Sequence, residues 1–240
     1  MSTQNSIAAN LEIIRNKISE AEIKSGREQG SVKLMAVSKF HPSEAVIEAF
    51  EAGQLLFGEN RVQEASEKFP PLIQLHPEIK VQMIGQLQSN KVKKAVEFAS
   101  CIQSVDRLDL LKEIEKQCAK LNRNIDILFE IHTGEESKSG YTSETKLRES
   151  IEKCVAGEFP HIIPTGLMTM APFTDDDKLI HKSFSTLREL LQKLKNDYPS
   201  LPLTELSMGM SGDFEIAIEE GSTLVRVGTA IFGERDYTNK

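Results

Sequence analysis

Three stretches carry residues able to do chemistry together. "MAVSKFHP", residues 35–42, is an apolar run that ends on Lys39. "LSMGMSGD", 206–213, holds Gly209, Gly212 and the hydroxyl of Ser211, and "LVRVGT", 224–229, holds Arg226, Gly228 and Thr229. A lysine amine at a strand end can pair with an anion, or it can attack a carbonyl and form a Schiff base. Small loops rich in glycine and hydroxyls let backbone N–H groups approach a phosphate. An arginine within an apolar run needs an acceptor. A pyridine nitrogen can serve, because a guanidinium will not release its proton to it. Each stretch also has a plainer reading. Lys39 is then a solvated strand end, the glycines only allow turns, Ser211 only caps a helix, and Arg226 pairs with an acid such as Glu205.

What could bring these stretches together is a repeating pattern. Ile7, Leu11, Ile14 and Ile18 fall at helical spacing, so a first helix runs from Ile7 to about Lys24, within 6–25. After it, short apolar runs alternate with amphipathic stretches. The runs are KLMAVS, QLLFG, KVQMIG, CIQSV, IDILFEI, IIPTGLM, LTELSM and TLVRVG. Such alternation signals repeated βα units, and nearly continuous apolar runs suit parallel strands covered on both faces. Eight units in about 210 residues fit an α/β (β/α)8 TIM barrel better than an open doubly wound sheet. With no Pro/Gly/Ser linker, 1–240 reads as a single domain. "PLIQLHPEIK", 71–80, reads as a loop before the third strand.

A barrel keeps its active site in the loops after its strands. Strand one ends in Ser38-Lys39, strand two in Gly58-Glu59-Asn60-Arg61, strand three in IGQLQ, strand six in GLMTM, strand seven in SMGMSGD and strand eight in Gly228-Thr229. Closure makes strand one a neighbour of strand eight, so Lys39 would lie beside the two candidate phosphate loops. The period-two alternation of TLVRVG puts Arg226 on the same face as Gly228.

Composition narrows the class. At 39% hydrophobic and 27% charged residues the chain is ordinary globular material. A net charge of −7 without a long basic run argues against nucleic acid. No apolar stretch reaches membrane-spanning length, and the N-terminus lacks the pattern of a signal peptide. Cys101, Cys118 and Cys154 are odd in number and form no C-x-x-C, which suits packing residues in a reduced cytoplasm rather than a metal or disulfide framework.

Taken together, VSKFHP, FGENRVQE, IGQLQSNK, GEESKSG, GLMTMAP, LSMGMSGDFEIAI and VRVGTAIFGERDY resemble, in the same order, the motifs of the pyridoxal phosphate homeostasis family. The resemblance runs from about Val32 to Tyr237. It implies the fold type III barrel seen in the N-terminal part of alanine racemase, without that enzyme's second, β-rich domain. It also implies pyridoxal 5'-phosphate (PLP) as cofactor and a role in vitamin B6 homeostasis. Carried over by residue, it makes Lys39 the Schiff-base lysine and puts Asn60 near the ring and its 3-hydroxyl. Ser211, Gly228 and Thr229 would hold the phosphate, Arg226 would face the ring nitrogen, and Met168 and Met210 would line the pocket. No catalytic residue is assigned. Gln82-Met83 departs from the family's usual aromatic or histidine pair, and His132-Thr133-Gly134 from a segment usually one residue longer. His132 and Lys138 stay unassigned.

An arginine at the ring nitrogen leaves it unprotonated and weakens the cofactor as an electron sink. The expectation is therefore a protein that holds PLP without robust turnover. The alternative is a weak amino-acid racemase, which needs a second base opposite Lys39. Tyr198 falls in a connection on the wrong face, whereas Tyr141 and Tyr237 could lie near the rim. A phosphate-sugar barrel enzyme is a remote third reading. PLP-dependent apoenzymes would be recipients of the cofactor, and the resemblance implies a monomer.

Overall fold

The short apolar runs close on themselves. In the computed structural model, which describes residues 6–134 and 139–233, β1 (Lys33–Val37) is followed around the barrel by β2 (Leu56–Glu59), β3 (Lys80–Met83) and β4 (Cys101–Val105). Then come β5 (Ile125–Glu130), β6 (Ile162–Met168), β7 (Glu205–Ser207) and β8 (Leu224–Val227), which pairs back onto β1. All pairings are parallel, and the closing register sets Lys33 against Leu224 and Ala36 against Val227. Phe57, Val81, Ile102, Ile127, Leu167 and Val225 belong to the large core shared with the helices. Cys101, Leu128 and Met168 form a separate small cluster. Strands buried on both faces have no polar alternation, so the runs look continuous.

The helices α2 (Ser43–Glu51), α3 (Val62–Leu75), α4 (Val92–Phe98), α5 (Leu108–Leu121), α6 (Glu144–Val155), α7 (Asp177–Asp197) and α8 (Phe214–Glu219) follow β1 to β7 in turn; α9 (Thr229–Phe232) follows β8. The first helix, α1 (Ile7–Lys24), packs against α2, α8 and α9. Its stripe of Leu11, Ile14, Ile18 and Ala21 is buried, and α8 is only six residues long. A helix that short covers little strand surface, so α1 supplies the missing apolar layer at the closing seam. Burying each large aliphatic side chain of that stripe is worth about 1.5–3 kcal/mol.

Two expectations need correction. Residues 71–75 are helical rather than loop, because α3 continues through Pro70 and Pro71 to Leu75. Val62, Ala65, Phe69 and Leu72 form one buried stripe across the prolines. The carbonyls that lose an N–H partner, those of Ser66 and Glu67, lie on the more exposed side. Ser211 does not begin the helix after β7. That helix starts at Phe214, and Ser211 sits in the turn before it.

Candidate functional site

A cavity of about 670 Å³ opens at the C-terminal ends of the strands. Lys39, Asn60, Met168, Met210, Ser211, Arg226, Gly228 and Thr229 all line it. The sites chosen from the sequence are thus brought together by closure of the barrel. Glu130, Ser139, Gln86, His41, Phe173 and Asp213 also line it and were not among the expected site residues.

Arg226 is the most buried cation of the site, 4% exposed. Its Nη1 donates to the carbonyl and the hydroxyl oxygen of Ser207, each at 2.7 Å, and Nη2 donates to the carbonyl of Thr169 at 2.7 Å. Three of its five N–H groups are thereby used, leaving Nε–H and one Nη2–H. The alternative pairing with Glu205 is not formed, because Glu205 accepts from Lys33 at 2.8 Å. Burial holds the Arg226 guanidinium down at about 10, while Asp213 and Glu130 pull it back up. It therefore stays charged at neutral pH.

Behind Arg226 runs a chain of hydrogen bonds across the barrel interior. The Ser207 hydroxyl donates to Gln103 Oε1 at 2.6 Å, and Gln103 Nε2 donates to Gln82 Oε1 at 2.6 Å. Each polar group buried there thus has a partner, as burial requires. Gln82, a position where the motifs depart from the resembled family, is the far end of this chain.

The β7–α8 loop is shaped for close approach. Gly209 has φ +97°, a left-handed conformation that side chains rarely adopt, and a Cβ there would lie 2.6 Å from that of Ala217. The carbonyl of Met210 accepts from the N–H groups of Asp213 and Phe214. Among the described residues, the N–H groups of Ser211 and Gly212 have no protein acceptor. Ser211, Gly212 and Thr229 are exposed toward the cavity. Two open N–H groups and two hydroxyls make a fit for a phosphate. The fit has an opposing element in Asp213, whose carboxylate accepts from the Met210 N–H. Burial pushes that carboxyl above its ordinary value, against the pull of the Met210 N–H and Arg226.

Glu130 ends β5, and its Oε1 accepts from the Ser139 hydroxyl at 2.7 Å. The signal for it in the sequence is the one that marks Lys39, a charged residue at the end of an apolar run. Tyr141 is 6% exposed and its hydroxyl meets Ser150 Oγ at 2.8 Å, so it turns toward α6 rather than the rim. Tyr198 bonds Arg148 and Glu152 on the outer helices. Tyr237 and Lys138 lie outside the described residues.

The sequence model of the family described as "Alanine racemase, N-terminal domain" matches residues 4–236. The chain is 40% identical to the pyridoxal phosphate homeostasis protein of Vibrio cholerae, over 97% of this chain and 98% of that protein. It is 38% identical to that of Escherichia coli K12, over 98% of this chain and all of that protein. The chain belongs to the pyridoxal phosphate homeostasis family. The structure of PipY of Synechococcus elongatus PCC7942 with PLP bound matches at a TM-score of 0.83 and 35% identity, covering 95% of this chain and all of that one. Alanine racemase of Clostridium difficile matches at a TM-score of 0.74 and 16% identity. That match covers 96% of this chain and 58% of the enzyme and shows the shared barrel fold.

Proposed function

We propose that this protein binds PLP in the cavity at the C-terminal mouth of the barrel and acts in homeostasis of that cofactor, holding it through Lys39. The observation that carries the reading is the convergence in one cavity of an amine, a buried arginine with N–H groups to spare and two open loops bearing hydroxyls. Full-length relatives named pyridoxal phosphate homeostasis proteins, and a relative whose structure contains PLP, support it.

In this reading the Lys39 amine adds to the aldehyde carbon. A carbon–nitrogen double bond forms, and the carbonyl oxygen leaves as water. Ser211, Gly228 and Thr229 hold the phosphate, and Arg226 faces the ring nitrogen. Asn60 lies by the ring's 3-hydroxyl, while Met168 and Met210 pack against the ring. The bound group supplies an electrophilic carbon and, in enzymes that protonate its ring nitrogen, an electron sink. The charged Arg226 cannot accept or lend a proton there, which favours holding the cofactor over turning over amino acids. Release to PLP-dependent apoenzymes, a monomeric state and a cytoplasmic location complete the proposal. An absorbance spectrum, borohydride reduction and peptide mapping test it. Expected is a reducible adduct on Lys39 that Lys39→Ala abolishes; an adduct that survives Lys39→Ala refutes the lysine assignment.

A further inference from the structure

Lys39 lies in a turn, not in the strand. Pairing of β1 with β2 ends at Val37, and the next residue but two, Phe40, has φ +66°. A left-handed conformation is uncommon for a residue with a bulky side chain and must be held by its surroundings. Within the turn, the His41 N–H donates to the Ser38 carbonyl at 3.1 Å, and α3 adds restraint from outside it. Lys68 Nζ, on α3, donates to the carbonyl of Ser38 at 3.0 Å. The N–H of Phe40 donates to Glu64 Oε1, also on α3, at 2.7 Å. The first bond fixes the peptide that precedes the Lys39 Cα, and the second fixes the peptide that follows it. Because peptide units are planar, φ and ψ are the only soft backbone torsions of a residue. Tying both flanking planes therefore sets the direction in which the Lys39 side chain leaves the backbone.

The anchor itself is rigid. Lys68 Nζ also meets Glu59 Oε1 and Glu64 Oε1, each at 2.8 Å, and the Ser38 hydroxyl donates to Glu59 Oε1 at 2.7 Å. The Lys68 and Glu59 side chains are 6% and 0% exposed. The Arg61 guanidinium lies over the Phe40 ring, 5.0 Å from its centre. A buried ion pair is weak evidence for stability, since desolvation offsets much of the attraction. A role in placing a neighbouring group accounts for it better.

We infer that Lys68 and Glu64 are positioning residues, which clamp the two peptide planes around Lys39 and aim its amine at the aldehyde. The inference rests on Lys39 being the residue that bonds the cofactor. The test compares wild type, Glu64→Ala and Glu64→Gln for two ligands. One is PLP, followed by borohydride trapping of the Lys39 peptide. The other is pyridoxine 5'-phosphate, which has the ring and phosphate but an alcohol in place of the aldehyde.

Glu64→Ala should slow and weaken bond formation at Lys39 by about tenfold or more, as misplacement of a reacting group does, and leave pyridoxine 5'-phosphate binding unchanged. Glu64→Gln, which keeps an oxygen for the Phe40 N–H, should stay near wild type. Equal loss for both ligands, or no loss for either, overturns the clamp. A wild type whose trapped peptide is not that of Lys39 overturns the reading of the site, and the clamp with it, and is distinguished by the peptide's identity. If Glu64→Ala does not fold, amide exchange of the wild type decides: a protected Phe40 N–H supports the clamp, and a freely exchanging one overturns it.

Discussion

Gly85 offers a perturbation whose size can be worked from the structure. It follows β3 and lines the cavity beside Asn60. A Cβ at residue 85 would lie 2.5 Å from the carbonyl oxygen of Asn60, 2.8 Å from its Cα and 3.0 Å from its carbonyl carbon. Unstrained carbon contacts begin near 3.5 Å, so the Asn60 backbone must retreat by about 1 Å in Gly85→Ala. Forcing such a shift in a packed region costs about 1–3 kcal/mol. For a chain of this size that lowers Tm by about 2–12 °C. If the shift loosens one hydrogen-bonded contact from Asn60 to the ligand, about 1 kcal/mol is lost, a roughly fivefold rise in Kd. Gly212→Ala is the control, because nothing lies within 4 Å of a Cβ there and its φ is not in the left-handed region. Its Tm should stay close to wild type, within about 0.5 kcal/mol of stability. The assay is thermal unfolding of both variants with a PLP titration read by absorbance. The reasoning fails if Gly85→Ala melts with the wild type, or if Gly212→Ala is destabilised as much.

Arg226→Gln should weaken PLP binding at least about tenfold and, by stripping donors from the carbonyls of Ser207 and Thr169, cost about 1–3 kcal/mol of stability; an unchanged Kd would remove Arg226 from the ligand. Asp213 has a carboxyl whose pKa is raised by burial above its ordinary 3.8. The folded state then holds its proton longer than the unfolded state, and stability falls as pH rises through that window. Asp213→Asn keeps an acceptor for the Met210 N–H, so it should flatten that fall, raise Tm at pH 7 and tighten phosphate binding; a lower Tm with weaker phosphate binding would contradict this. Burial pushes the thiols of Cys118 and Cys154 to about 11 and about 12, and that of Cys101 well above its ordinary value. Alkylation of the folded protein at pH 8 should therefore be slow at all three and fast after denaturation, as mass spectrometry can follow.

The amino-acid order alone determined much of this protein. Runs such as CIQSV and IIPTGLM coincide with β4 and β6, and α1 spans Ile7–Lys24 as its spacing indicates. Eight such runs at even intervals imply a barrel, and a barrel places the ends of its strands around one mouth. That is why Lys39 and Arg226, 187 positions apart by their numbers, were legible as neighbours. The prolines misled: Pro70-Pro71 read as the end of a helix, yet the apolar periodicity runs on to Leu72, whose burial outweighs two missing backbone bonds with carbonyls facing outward. The tertiary structure alone decided the partners. Arg226 turns to Ser207 and Thr169 rather than Glu205, Ser207 reaches Gln103 across 104 positions, and Lys68 takes hold of the Ser38 carbonyl. Backbone periodicity is a local property, written in a few turns of chain. A polar side chain's partner depends on which groups closure of the barrel leaves within about 3 Å of it, and no local pattern encodes that distance.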